Sequence, residues 1–405
     1  MTEQYPAGDD GAAGESQQPL TTSPTPRRGP ALTVRIVLIV AAVAVLAVTG
    51  TAWVIRHRAD VAISQHRVDA LVPNDPNIKQ GTPDKTAGPP TGTAGSTGST
   101  GSAGSNGSTA APGAAGRPVS PQDAAAMPAE NMLVLGLDTR GNATGGVGPG
   151  TSQSDVIMIA HLYAGHQQMS VLSIPRDLYV PAPTCKEWDN ATGQVSDHNF
   201  TSQYTSWKIT NAYSVGGPRC TVQAVQALTG LRIDRLITIQ FDGFKSIVDA
   251  LGGVQMTFAT PVIDQNQGTV IAAPGSQLVN GTQALALVRS REVKGDSSGD
   301  LGRIDRQQQL LKAMMRKMVT SGTLTDPAKL DRVMQTFIAN STTDNVTTDQ
   351  LLSLARKFAG GSAVKFVTLP TTPAPGTDGL HGTGSDAQIF TALVNDQPIP
   401  VVAAS

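Results

Sequence analysis

Charge is scarce in this 405-residue chain: Asp, Glu, Lys and Arg make up 15% of it, and they nearly cancel to a formal net charge of -1. A protein that holds nucleic acid by bulk attraction to phosphate needs a basic surplus, which this composition lacks. Aromatic residues are also few, at 4%, so an extended base-stacking surface is excluded. Cysteine occurs only at Cys185 and Cys220, and neither these nor the six histidines fall at a zinc-ligand spacing. No Ser/His/Asp triad stands out and no internal repeat is found. Any charge-based function must therefore come from local clustering.

Two long segments almost free of charge explain the low average. The first, IVLIVAAVAVLAVTGTAWVI at 36–55, is long enough at ~1.5 Å per residue to cross a hydrocarbon core of roughly 30 Å. Arg35 and Arg56 bracket it, and Trp53 stands where an interfacial aromatic belongs. The run is longer than a signal-peptide core and begins far from the start, so it reads as an uncleaved anchor. Arg27, Arg28 and Arg35 before it balance Arg56, Arg58 and Arg67 after it, and positive-inside counting is nearly a tie. The short polar N-terminal flank and the isolated cysteine pair decide the orientation. A Cys185–Cys220 disulfide belongs to an oxidising compartment, against the alternative of two buried thiols, and places the C-terminal part outside the cell. A loop of that size would gain about 3–4 kcal/mol from closure.

The second segment, from about Gly81 to Ala115, is built of Gly, Ser, Thr, Ala and Pro without any apolar period, the composition of a flexible tether. The expected organisation is a disordered inner tail (1–35), a membrane helix (36–55), a linker (56–126) and a folded domain (127–400). In that domain the apolar runs Met132–Leu137, Val156–Leu162, Met169–Ile174, Leu236–Ile239, Val254–Phe258 and Val364–Leu369 read as strands. Helical periodicity covers Gly243–Leu251, Ile304–Met318, Thr348–Phe358 and Asp386–Val394, and the alternation predicts a layered α/β domain.

Chemistry gathers at strand ends. NMLVLGLDTRG places Asp138 and Arg140 at the mouth of one strand, and TSQSDVIMIAHL places Asp155 at the entry of the next. The glycine-rich GNATGGVGPG between them allows the two carboxylates to converge, a donor set for octahedral Mg²⁺, or Mn²⁺ in its place, completed by phosphate oxygens. Taken singly, each Asp caps a turn equally well. In VLSIPRDLYV, Pro175 ends a strand and Arg176 and Asp177 project beyond it, Arg176 suiting bidentate contact with phosphate. The stretch ALALVRSREVKGDSSGDLGRIDRQQQL is denser. Arg289 and Arg291, two apart in an apolar segment, share one face of an expected strand. Arg303 and Gln307, four apart, share one face at the start of the following helix, where free N–H groups favour anions. Asp300 is placed to cap that helix. Of the histidines, only His161 lies near these segments, and it reads as a core residue.

In order along the chain, LVLGLDTRG, SDVIMIAHL, SIPRD, KITNAYSVGG, FDGFKSIVDALGGV and RSRE…GDLGRIDRQQQ resemble the LytR-CpsA-Psr family of wall-polymer ligases, from about Asn131 to Met318 and more loosely to Pro400. The resemblance implies a three-layer α-β-α domain with a central mixed sheet. It implies a phosphotransferase of the plasma membrane that passes a glycopolymer from a polyprenyl-pyrophosphate carrier to peptidoglycan, with no nucleic-acid partner. Asp138 and Asp155 would hold the metal. Arg140, Arg176, Lys208, Arg289, Arg291, Arg303 and Gln307 would contact the pyrophosphate, and the prenyl tail would occupy an apolar tunnel. Arg176, Asp155 and Asp300 would carry the catalysis, with Asp155 or Asp300 as proton acceptor. A hydrolase using water as acceptor, or a non-catalytic wall-polymer binder or attenuator, are the alternative readings. Two departures from the family pattern are visible: Gln153 and Val156 flank Asp155 where Arg and Thr are usual, and the loop with Lys294, Asp296 and Ser298 is about two residues longer.

Overall fold

The computed structural model describes residues 53–72, 127–139, 152–189, 192, 194–358 and 363–401. In Glu130–Thr139 (β1), Leu133, Leu135 and Leu137 are buried towards one face and Met132 towards the other, the period-two pattern of a strand covered on both sides. Its partners are Ser152–Leu162 (β2), Met169–Ile174 (β3), Arg235–Gln240 (β4), Ser341–Asp344 (β5) and Val364–Thr368 (β6). They form one six-stranded sheet in the order β5-β4-β1-β2-β3-β6. The sheet is mixed: β1–β4 and β3–β6 run parallel, while β1–β2, β2–β3 and β4–β5 run antiparallel.

Helices cover both faces. On one, Val222 and Val225 of Asn211–Thr229 and Ile389 and Leu393 of Asp386–Val394 meet Leu133, Leu135, Ile159 and Leu172. Each such fully buried aliphatic side chain contributes about 2 kcal/mol by leaving water. On the other face, Leu311 of Asp300–Thr320, Phe337 of Pro327–Ala339 and Leu351 of Thr348–Phe358 pack over Met132, Met158 and Ile237. A further cluster joins Phe241–Ala250 and Gly281–Arg289 to the hairpin strands Val262–Asp264 and Gly268–Ile271, and it carries the arginine-rich stretch.

Three differences from the reading of the sequence bear on the site and its surroundings. The segment with Arg289 is the last turn of a helix, Gly281–Arg289, rather than a strand. Asn280 and Gln283 close a reciprocal capping box that starts it, and Arg291 lies beyond its end. The helix Asn211–Thr229 went unanticipated because its chain breaks at Gly216, Gly217 and Pro218. Gly217 has φ +60, and a Cβ there would stand 2.4 Å from the Trp188 ring. Cys220 in this helix is bonded to Cys185 of the strand Cys185–Asp189, with Cα atoms 5.5 Å apart.

The third difference concerns the expected linker. Residues 53–65 are helical, and Ala59 and Ile63 pack on Met334 and Ile338. Beyond them Val68 donates to the Thr343 carbonyl at 2.9 Å, and the amides of Ala70 and Leu71 both donate to Asp344 Oδ2 at 2.9 Å. The part of the expected linker up to residue 72 is therefore folded onto the domain. The 73–126 stretch, the tail 1–35 and most of the expected anchor lie outside the described residues. Among the described residues, no helix is long and apolar enough to cross a membrane.

Candidate functional site

The site is built on a β-bulge. Gly136 faces Val156 and Leu137 faces Ser154, so Asp155 is the extra residue of β2. A bulge turns a side chain away from the regular pleat, and Asp155 is thereby buried at 5% exposure among guanidinium groups. Asp138, at the end of β1, lies opposite Gln153.

Seven chain segments converge here. Arg176, just past β3, donates from Nη1 to Asp155 Oδ1 at 2.5 Å, and Arg291 donates from Nη2 to Asp155 Oδ2 at 3.0 Å. Arg303, in the first turn of the Asp300–Thr320 helix, reaches the Asp155 carbonyl at 3.4 Å and stands 2.7 Å from Asp300 Oδ1. Arg176 Nε is 3.4 Å from Asp177 and 3.7 Å from Asp300. Lys208 bridges Asp177 at 3.2 Å and Asp378 at 2.8 Å. Alongside, Arg289 pairs with Asp138 at 2.7 Å and lies 5.3 Å above the Phe241 ring. Five basic groups thus meet five carboxylates, and the cluster is close to neutral.

It is not satisfied. The Nε–H groups of Arg176, Arg289 and Arg303 are buried without a hydrogen-bond acceptor. Both oxygens of Asp300 are buried and accept no hydrogen bond, the 2.7 Å approach of Arg303 being ionic rather than aligned. Each buried unpaired donor costs about 1–3 kcal/mol, so the three, two beside Asp155 and Asp300 and one beside Asp138, favour a bound anion.

The electrostatics agree. Burial pushes the Asp155 carboxyl up, but Arg176, Arg303 and Arg291 together hold it below the usual carboxylate range. Burial pulls Arg303 down to about 10, with Asp300 opposing and Arg176 and Arg291 adding to the effect. Arg291 is lowered by burial and by its neighbour Arg176, the signature of cations crowded together. For Lys208 the cost of burial is outweighed by Asp378 and Asp177, and its ammonium is held above its ordinary value.

The structure therefore brings together Asp155, Arg176, Lys208, Arg291, Asp300 and Arg303, with the Asp138–Arg289 pair beside them. Arg140 lies outside the described residues. Gln307 is buried and donates from Nε2 to the Val288 carbonyl at 3.2 Å, bracing the helix end rather than pointing a free amide at an anion. Asp300 is not the cap of its helix: Gly299 holds that position, with φ +54, and Asp300 is the first helical residue. His161 is fully buried at the other end of the sheet, opposite Asn131. Asp378 and Phe241 were not anticipated. Nothing in PAPGTDG ties Asp378 to Lys208, whereas the aromatic opening of FDGF was legible as a partner for a nearby cation.

Hard carboxylate oxygens suit Mg²⁺, and Asp138, Asp155 and the unbonded Asp300 oxygens supply them. Among the described residues no group of three or more His, Cys, Asp or Glu side chains is placed to hold an ion unaided.

A largely apolar cavity has one wall on the helix that starts at Asp300. Its volume is about 400 Å³, and Leu301, Lys365, Phe366, Val367, Leu369 and Pro370 are among the residues that line it. On the face covered by the Asp300–Thr320 and Pro327–Ala339 helices, Val134, Val156, Ile239 and Leu311 are only partly buried.

Comparison with known proteins gives a consistent result. The LytR_cpsA_psr family profile matches residues 101–395. The chain is 30% identical over 225 residues, covering 54% of it, to a polyisoprenyl-teichoic acid–peptidoglycan teichoic acid transferase, TagV, of Bacillus subtilis, and spans 52% of that protein. It is 31% identical over 242 residues, 57% of its length, to a transferase of the same description, TagU, of Oceanobacillus iheyensis, and spans 63% of it. The chain thus spans between half and two thirds of these relatives. The crystal structure of Bacillus subtilis TagV superposes with a TM-score of 0.51 at 25% identity, covering 66% of this chain and 97% of that one.

Proposed function

The chain belongs to the LytR-CpsA-Psr family, and on that premise we propose that it transfers a glycopolymer from a polyprenyl-pyrophosphate carrier to peptidoglycan. The observation that carries this reading is the set of three buried Nε–H groups, on Arg176, Arg289 and Arg303, without acceptors in a cluster already rich in arginine. A diphosphate supplies those acceptors, and the apolar cavity lined in part by Leu301 suits the prenyl tail. The relatives named above carry transferase descriptions for teichoic acid, and the polymer here is left as a glycopolymer of that general class.

In the reaction, a sugar hydroxyl of peptidoglycan attacks the phosphorus attached to the glycopolymer. The bond from that phosphorus to the bridging oxygen breaks, polyprenyl phosphate leaves, and the polymer is joined through a phosphodiester. Arg176, Arg291 and Arg303 stabilise the charge that grows on the leaving phosphate. Asp300 takes the hydroxyl proton. Asp155 is a poorer base, because both its oxygens are held by arginines and its carboxyl lies below the usual range. Asp138 and Asp155 would hold Mg²⁺, which supplies a Lewis acid to the phosphate oxygens. A metal dication and a diphosphate entering together leave the charge balance of the site little changed.

The anchor at 36–55 holds the chain in the plasma membrane, with the catalytic domain outside the cell. The Cys185–Cys220 bond supports that side. The test supplies the full-length protein with lipid-linked polymer, Mg²⁺ and peptidoglycan oligomers. Polymer that becomes wall-bound supports the transferase. Release of polymer phosphate to water alone indicates a hydrolase, and full activity of Asp155→Asn excludes the metal role.

A further inference from the structure

Arg291 has no regular element beneath it, since its helix ends at Arg289. Its backbone is instead fixed by a carboxylate from elsewhere. Asp264, at the tip of the hairpin formed by Val262–Asp264 and Gly268–Ile271, is 2% exposed and accepts four backbone N–H bonds, each of 2.9 Å. Two come from Asn266 and Gln267 and simply shape the hairpin turn. The other two come from Arg291 and Glu292, which are 27 and 28 residues away, and both go to Oδ2.

The contact is reinforced on both sides. Gln265 donates to the Glu292 carbonyl at 3.1 Å, Lys294 donates to the Ile263 carbonyl at 2.8 Å, and Asp264 and Val293 form an isolated antiparallel bridge. Burial works against the charge on Asp264, yet the four N–H donors hold its carboxyl below the usual range, so it stays an acceptor throughout the neutral range. Turn shaping accounts for Oδ1; it does not account for Oδ2.

We infer that Asp264 is the positioning residue of the site: through Oδ2 it fixes the backbone from which Arg291 reaches Asp155. The inference rests on the reading of Arg291 as a pyrophosphate contact. It has a consequence that simple structural support lacks, namely that losing Asp264 matters to ligand binding only while Arg291 is present.

The test is a double-mutant cycle on the full-length chain in detergent, titrated with geranyl pyrophosphate by calorimetry. Asp264→Asn and Arg291→Ala are each expected to weaken binding about tenfold, and the double variant no further than Arg291→Ala alone. Losses that multiply to about a hundredfold overturn the inference and leave the site reading intact, as does wild-type affinity in Asp264→Asn. Wild-type affinity in Arg291→Ala overturns the site reading itself. Should Asp264→Asn fail to fold, hydrogen exchange on the wild type decides. Arg291 and Glu292 amides as slow as those of Asn266 and Gln267 support the inference, and exchange at the rate of an open peptide overturns it.

Discussion

The two ends of the central sheet both bury charge, and they treat it in opposite ways. At the end where β1 begins, Arg235 makes a two-pronged contact with Glu130, at 3.0 and 2.9 Å, and gives its remaining nitrogen to the Asn345 carbonyl. Asn131 donates to the Arg232 carbonyl, Arg232 pairs with Asp234, and His161 has Asn131 on one ring nitrogen and Asp396 on the other. At the end where β1 finishes, arginines crowd against one another, the Nε–H groups of Arg176, Arg289 and Arg303 lack acceptors and Asp300 accepts nothing. The first arrangement is complete as folded. The second leaves buried polar groups without partners, which the proposed diphosphate would supply.

The comparison breaks most visibly if the unsatisfied end is disabled. Asp300→Asn is expected to lower the turnover of polymer transfer by about 10³-fold with little change in KM for the lipid substrate. Steady-state assays with lipid-linked polymer check this, and an unchanged turnover removes Asp300 from the role of base. Arg303→Met is expected to cost about 10²-fold in kcat/KM. Its thermal unfolding should change little, because the loss of its Asp300 contact is offset by relief from Arg176 and Arg291. The mirror experiment is Arg235→Met at the satisfied end. It should cost about 2 kcal/mol in urea unfolding, because Glu130 is left partly buried and unpaired, while transfer by the folded fraction is unaltered.

The smallest effect is a difference in pH response. Burial favours the neutral imidazole of His161 against the pull of Asp396, so its folded pKa lies below the ordinary 6.5. The unfolded chain then takes up that proton first, and stability present above pH 6.5 is lost as pH falls through the folded value. Asp155 has a folded pKa below the ordinary 3.8, so its contribution is present above pH 3.8 and lost only in stronger acid. Melting curves should therefore show a shallow decline below pH 6.5 that His161→Gln removes. Asp155→Asn should alter only the limb below pH 3.8.

The sheet was legible because alternation and apolar runs act locally: Leu133, Leu135 and Leu137 declare a strand without any knowledge of its neighbours. The long helix carrying Arg303 and Gln307 was legible for the same reason, through its 3.6-residue period. The helix ending at Arg289 was misread although Asn280 and Gln283 spell a capping box, because ALALVR satisfies the strand pattern equally well and only the cap separates the two. The bulge that exposes Asp155 to three arginines depends on register between strands, which no single segment records. Asp378 on Lys208 and Asp264 beneath Arg291 depend on contacts between distant segments and left no local trace. The composition that follows 56–72 makes this segment read as the start of a tether. Its own Ala59 and Ile63 already had the spacing of a buried helical face.

The most direct measurement of the central claim is a crystal structure of the domain soaked with geranyl pyrophosphate and Mg²⁺. The account predicts diphosphate oxygens about 2.7–3.1 Å from the Nε atoms of Arg176 and Arg303, beside Asp155, with the prenyl chain entering the apolar cavity at Leu301. Diphosphate density at any other surface, with those Nε–H groups still lacking acceptors at saturating ligand, would contradict it.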